Sequence, residues 1–522
     1  MNEGKKLKKK IKTTMITFFL LLALATIGSA SAANTYNITD SSYGNYFNEL
    51  GYINNTSIVS GDVLDCSGNI NNKDMYIDRS LNITSTSKTG KIFNGTITIL
   101  PDGSGTNITN LVFKNTNHNG DVPGTIVLFG ANDCSITGNK ITTNQIGDDS
   151  YGIYLTGASD NRIVGNTITT TGDGTGAARA NINGTITPGN GKYTSGVYLD
   201  TACSGNVISS NNIKTTGASA PVDWAAYPDP GIYPTIGLFI STDSNSNTIT
   251  DNKINTNYGV IFGDYDTLLG VRILQSSYNS LIDNLITTTG YSYAYGLEIV
   301  GASGSTTSNN VVSSNTILTN AVRDDPLQSY ANGLKVSTYT ANTLISGNNI
   351  MAIAPTLAYG VIIEDDWSDT TIENVTVTGN YIGTLAYVNY VIELFMASGH
   401  TITDNTIIGV GNFSTGIGTV FSYFNNISDN LIITIGDPSA PPLEYNPDFI
   451  PESNQGIKLY YSDNNVVQNN TIISSDEYAV DVTGSYDNTV TNNNLTSNTY
   501  TGDDAVAGSR EDNTISDNYW WF

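Results

Sequence analysis

The chain is 522 residues long and carries 22 Lys and Arg against 47 Asp and Glu, a formal net charge of −25. A chain this acidic repels phosphate backbones, which argues against nucleic acid as a partner. Its 3 cysteines, with no C-x-x-C spacing, and its 2 histidines argue against a closed disulfide framework and a histidine-rich metal centre.

At the N-terminus, Lys5, Lys6, Lys8, Lys9, Lys10 and Lys12 form a positive stretch, Met15 to Ile27 an apolar run, and Ala30-Ser31-Ala32 a small-x-small cleavage pattern. A bilayer-spanning helix needs roughly 20 apolar residues, more than this run has. Residues 1–32 are therefore expected to be a signal peptide cut after Ala32, leaving no membrane span, with an uncleaved anchor as the alternative. Cleavage would leave 16 basic against 46 acidic residues, a net charge of −30. Residues 33–105 fit no repeat well and are expected to form an N-terminal cap and irregular first coils.

From 106 to 522 one pattern recurs. The motif N-x-I-x-x-N-x-I appears as Asn161-Arg-Ile163-Val-Gly-Asn166-Thr-Ile168 and again as Asn206-Val-Ile208-Ser-Ser-Asn211-Asn-Ile213, and copies continue to the C-terminus. Before most copies stands G-[IVL]-x-[ILVF], as in Gly152-Ile-Tyr-Leu155, Gly196-Val-Tyr-Leu199, Gly296-Leu-Glu-Ile299 and Gly333-Leu-Lys-Val336. Period-2 alternation rich in Ile, Val and Thr, punctuated by Asn, Gly and Asp, predicts strands and turns, three strands to a repeat. Successive second asparagines lie mostly 23 to 33 residues apart, with jumps to 45, 41 and 40.

One such repeat cannot bury its own Ile and Val, but stacked repeats bury them in a continuous column. The expected fold is thus all-β: a single-stranded parallel β-helix of about 12–16 coils, a rod on the order of 70 Å long. Asparagine tolerates a left-handed corner and can satisfy turn backbone with its amide. Identical asparagines at one corner also form a hydrogen-bond ladder. Asn139, Asn166, Asn211, Asn252, Asn284, Asn315, Asn348, Asn380, Asn405, Asn430, Asn470, Asn493 and Asn518 are read as that ladder, with no catalytic role.

Insertions are expected at 170–195, 216–236, 320–332 and 434–455, all at one corner, after the third strand and before the next Gly-strand. Loops at one corner rise along one side of a solenoid, where binding residues concentrate. They are rich in aromatics and acids: Trp224, Tyr227, Asp229, Tyr233, Asp324, Asp325, Tyr330, Tyr445, Asp448 and Phe449, with Tyr291, Tyr293 and Tyr295 at a shorter connection. Aromatic faces stack on the C–H faces of sugars and carboxylates accept hydroxyl protons, so these residue types suit a glycan; the more ordinary use of such rings is to pin the loops to the rod through their apolar bodies. The N-x-[ST] sequons, among them Asn37, Asn55, Asn374 and Asn494, fit an exported chain.

These stacked elements, from about residue 105 onward, resemble the parallel β-helix repeats of the pectin-lyase-like superfamily. More narrowly, they resemble NosD-type repeat proteins and the large adhesin-like surface proteins of methanogenic archaea, and the closing Asp517-Asn518-Tyr519-Trp520-Trp521-Phe522 is similar to a coil end common in those archaeal proteins. The resemblance implies a right-handed helix and display at a cell surface. Its polygalacturonase-like members carry an Asp pair, a Gly-His-Gly and an Arg-x-Lys. This chain has Asp pairs at Asp148-Asp149, Asp324-Asp325, Asp365-Asp366 and Asp503-Asp504 but neither of the others, so that set is not carried over. Pectate-lyase-like chemistry needs a base beside Ca²⁺-binding carboxylates; Arg272, Arg323 and Lys335 are available, and nothing marks one. A NosD-like role in copper-site assembly sits poorly with 3 Cys, 2 His and 5 Met.

The sequence thus points first to an extracellular adhesive or structural rod, contacting a polysaccharide, a cell-surface glycan or another surface protein through its insertion-rich side. The alternative is a polysaccharide lyase or glycoside hydrolase with its cleft on that side. No cofactor is expected; Ca²⁺ is the one ion the acidity leaves open.

Overall fold

The structure, a computed structural model, describes residues 33–116, 124–145, 150–172, 194–219, 235–261, 267–323, 329–365, 372–437 and 454–520. The expected signal peptide lies outside the described residues.

Each coil runs through three short strands, and each strand pairs in parallel with its equivalent one coil on. Ser135–Thr137 lies on Arg162–Val164, Lys140–Gln145 on Thr167–Gly172, and Ser150–Thr156 on Thr194–Leu199. Among the described residues, repetition builds three long sheets. The first, of 17 strands, holds the three-residue strands of the N-x-I element; the second, of 15, follows the second asparagine; the third, of 15, carries the G-[IVL]-x-[ILVF] element. The chain is a parallel β-helix.

Alternation turns every second side chain inward. Ile136, Ile163, Ile208 and Ile249 stack in the first sheet, Ile141, Ile168, Ile213 and Ile254 in the second, and Leu155, Leu199, Ile240 and Ile273 in the third, all fully buried. Each contributes about 1.5–3 kcal/mol of hydrophobic stabilisation. Cys66, Cys134 and Cys203 are buried and unbridged in the same column, and burial pushes the Cys66 thiol up to about 12. At the N-terminal end, Tyr43 and Phe47 stack 4.8 Å apart and, with Ile53 and Ile58, cover the end of the core.

The glycine of the third-sheet element has a steric cause. A Cβ on Gly296 would lie 2.3 Å from Ile317 Cγ2 and 2.4 Å from the Gly333 carbonyl oxygen, and one on Gly333 2.4 Å from Ile350 Cγ2 and 2.5 Å from the Gly360 oxygen. The third sheet therefore bends tightly against the second wherever this glycine stands. Val391 takes the glycine's place in one coil, and there Gly409 replaces the inward threonine of the second sheet and makes room for it.

The corner between the first and second sheets differs from expectation in one respect. The left-handed residue is the one before the ladder asparagine: Gly138, Gly165, Ser210, Asp251, Asp283, Ser314 and their equivalents have φ between 55° and 67°. No ladder asparagine among the described residues has positive φ. The preceding residue makes the turn, and this aims the asparagine side chain into the rod, where its amide is buried.

There each amide is fully used. Asn166 Nδ2 donates to Asn211 Oδ1 at 3.1 Å and to the Ile136 carbonyl at 2.8 Å, while Asn166 Oδ1 accepts from the Asn139 backbone N–H at 2.9 Å and from Asn139 Nδ2 at 3.1 Å. The linkage repeats without a gap from Asn139 to Asn518. A second ladder, which the sequence reading did not separate, runs at the corner between the third and first sheets through Asn161, Asn206, Asn247, Asn279 and Asn310. It resumes at His400 and continues through Asn425, Asn465, Asn488 and Asn513. Thr343 and Val375 occupy the gap.

Candidate functional site

Because side chains alternate across a strand, the variable residue two places after each third-sheet glycine points away from the core. In register from coil to coil, that position reads Tyr154, Tyr198, Phe239, Arg272, Glu298, Lys335, Ile362, Glu393, Gly418, Lys458 and Asp481. The position before the glycine points the same way and reads Leu269, Tyr295, Asn332, Tyr359 and Tyr390 through the middle coils. One outer face thus passes from aromatic to charged along the rod.

The aromatic end is closed on itself. Tyr198 and Phe239 stack at 4.6 Å, and the Tyr154 and Tyr198 hydroxyls both donate to Asp200, at 2.6 and 3.2 Å. Burial first, then Asp200, pushes both phenols above their ordinary range.

The charged middle is half open. Arg272 Nε lies 2.8 Å from Glu298 Oε2, with side-chain exposures of 21% and 14%, and the guanidinium also sits 6.0 Å from the Phe239 ring centre. Lys335 forms an ion pair with Glu364 and stands 5.8 Å from the Tyr295 ring centre. Burial acts most strongly and opposes the lysine charge, yet Glu364, Tyr295 and Glu298 together outweigh it and hold Lys335 above its usual value. Glu393 lies one strand on from Glu364 and two positions away in register. It is 3% exposed, and burial, reinforced by Glu364, pushes its carboxyl up to about 8 against a hydrogen bond from Tyr359. The face therefore holds two carboxylates paired with cations, Glu298 and Glu364, and, beside Glu364, one carboxyl that burial keeps protonated at neutral pH.

Of the sequence-predicted residues, Trp224, Tyr227, Asp229, Tyr233, Asp324 and Asp325 lie outside the described residues, as do Tyr445, Asp448 and Phe449. The structure brings Tyr291, Tyr293 and Tyr330 to the rim of this face and places Tyr295 on the face itself. Tyr293 and Tyr330 occupy the same register position on adjacent strands and stack at 5.0 Å with planes 4° apart. Tyr291 lies 6.1 Å from the Tyr258 ring and beneath the Arg323 guanidinium, 5.7 Å away. Along the same corner a groove of about 550 Å³ passes Ala321, Ile353, Ala354, Pro355, Leu385 and Tyr387. Among the described residues no three His, Cys, Asp or Glu side chains gather into a metal-binding group, and no helix is long and apolar enough to cross a membrane.

The sequence reading missed Glu298, Tyr359, Glu364 and Glu393 and gave Arg272 and Lys335 no place. The available signal was the variable position of the glycine element, which reads as noise within one repeat and as a track once the repeats are stacked.

Residues 359–519 match the family described as a right-handed β-helix region. No curated protein sequence matches the chain. Among solved structures, the chain is similar to the Dettilon tailspike protein gp208, at 14% identity and a TM-score of 0.39 over 71% of this chain, and it spans 60% of the tailspike's length. It is similar to the periplasmic alginate epimerase AlgG at 13% identity and a TM-score of 0.32, over 92% of this chain and 83% of that one. A third is the DFA-IIIase of Arthrobacter chlorophenolicus A6, at 14% identity and 0.40, over 74% and 88%. At these identities the likeness is one of fold.

Proposed function

We propose that this chain is an exported, surface-displayed β-helix that binds an extended, uncharged polysaccharide along the outer face of its third sheet, with adhesion as its task. The observation that supports this reading most is the half-buried track of Arg272, Glu298, Lys335 and Glu364 beside the stacked rim tyrosines Tyr293 and Tyr330. Coils recur about every 4.8 Å, close to the advance of one sugar unit in an extended chain, so each coil can meet one ring. Rim tyrosines offer flat apolar faces to sugar C–H bonds, and carboxylates and guanidinium groups suit vicinal hydroxyls. Arg272 and Lys335 are already matched by carboxylates, which favours a neutral glycan over an anionic one. Export rests on the N-terminal segment, and display at a surface on the family resemblance of the repeats.

The test is a glycan array followed by titration calorimetry on residues 33–522, with and without Ca²⁺. Tyr330→Ala and Glu364→Gln are each expected to weaken binding roughly tenfold to a hundredfold. Binding unchanged in both variants would remove the face from consideration.

A second reading, hydrolysis of the bound glycan, is favoured by Glu393 and Glu364. A protonated carboxyl beside an ionised one is the arrangement that supplies general acid and base in glycoside cleavage. Shortening of a bound polysaccharide that stops in Glu393→Gln, with binding retained, would establish it. Binding without shortening would leave the adhesive role.

A further inference from the structure

The outer face of the second sheet changes character halfway along the rod. In the N-terminal coils its outward positions read Lys140, Thr142 and Asn144, then Thr167, Thr169 and Thr171, then Asn212, Lys214 and Thr216. From the strand Leu285–Gly290 onward the same positions become apolar, one per strand at first and most of them from Asn349–Ile353 on. Met351 and Ile353 precede Tyr381 and Leu385, then Ile408 and Val410, then Leu431, Ile433 and Ile435, then Ile473. Leu385, Ile435 and Ile473 are 49%, 53% and 47% exposed. Nothing in the folding of one chain calls for this, since the inward Ile column of the same strands is already complete.

We infer that this apolar face is a self-association surface, on which a second copy of the chain packs face to face. Two observations select a second copy. The first is charge: in a chain of net charge −25, approach of two copies is repulsive wherever carboxylates line the surface, and the outward positions of these seven strands carry no charge at all. The second is size. Seven strands about 4.8 Å apart and five residues wide give a patch roughly 34 Å by 17 Å, about 600 Å² in projection and more over standing side chains. That approaches the about 800 Å² per partner of a stable interface and stands at the upper end of the apolar patches that monomers carry.

The test is sedimentation equilibrium on residues 33–522. A dimer is expected, with Leu385→Lys/Ile435→Lys weakening it roughly a hundredfold or more, and Thr142→Lys/Thr169→Lys, on the polar half of the same sheet, leaving it intact. Both pairs of sites are solvent-facing, and unchanged circular dichroism melts will confirm folding. A monomer at tens of micromolar would overturn the inference, and a monomer that floats with phosphatidylserine vesicles would assign the face to a lipid surface instead. Neither result bears on glycan binding, which uses a different sheet.

Discussion

The two asparagine corners start from the same motif and end differently. At the corner between the first and second sheets the ladder never breaks from Asn139 to Asn518. At the corner between the third and first sheets it stops after Asn310 and resumes at His400. The broken corner adjoins the third sheet in the coils whose outer face carries Tyr359, Tyr390 and Glu393. Uniformity belongs to the corner that only holds coils together, and exceptions gather where the rod borders its candidate site, as happens when natural proteins depart from local consistency.

The largest effect is expected at the unbroken corner. Asn348→Leu removes four side-chain hydrogen bonds, to Asn315 N–H, Asn315 Nδ2, Val312 O and Asn380 Oδ1, and leaves those groups buried without partners. A loss of roughly 5 kcal/mol is expected by chemical denaturation. An effect near zero would mean the ladder is ornamental.

Next come two groups of one coil with opposite pH behaviour. Glu393, held near 8 by burial and Glu364, stays neutral in the folded chain while its unfolded counterpart ionises above about 4.5. The folded state then binds the extra proton, and stability falls as pH rises from about 4.5 to 8, by on the order of 4 kcal/mol. Glu393→Gln is expected to flatten that decline. His400 is fully buried, its Nδ1 accepting from the Val375 N–H at 3.1 Å, and burial lowers it to about 4. The unfolded state takes up a proton below about 6.5 while the folded state does not, so stability falls as pH drops from about 6.5 to 4, by on the order of 3 kcal/mol. His400→Asn is expected to abolish this acid sensitivity, measured as Tm against pH. The smallest change is repair of the ladder: adding Val375→Asn to His400→Asn should raise stability by about 1 kcal/mol.

Much of this was legible in one dimension. The Ile columns and the spacing of the asparagines are local patterns repeated many times, so the fold follows from stacking alone. The left-handed residue was misplaced because Gly, Asp, Ser and Asn share the position before the ladder and no single residue type marks it. The site needed register: Lys335 and Glu364 are 29 residues apart, and only the in-register pairing of Lys335 with Ile362 and of Ser337 with Glu364 makes them neighbours. The apolar half of the second sheet was invisible for the same reason, since Ile407-Ile408 looks like any other buried strand until Ile408 is seen to point outward.

The ladders also give the rod a mechanical character. Nearly every backbone and asparagine hydrogen bond between coils lies along the long axis, and each coil is bonded only to its two neighbours. A pull on the two ends loads these bonds in series, so the rod should yield one terminal coil at a time, releasing 23 to 45 residues of slack per step as the ladder spacing dictates. Such a tether would lengthen under load in small increments while the coils still stacked kept their shape.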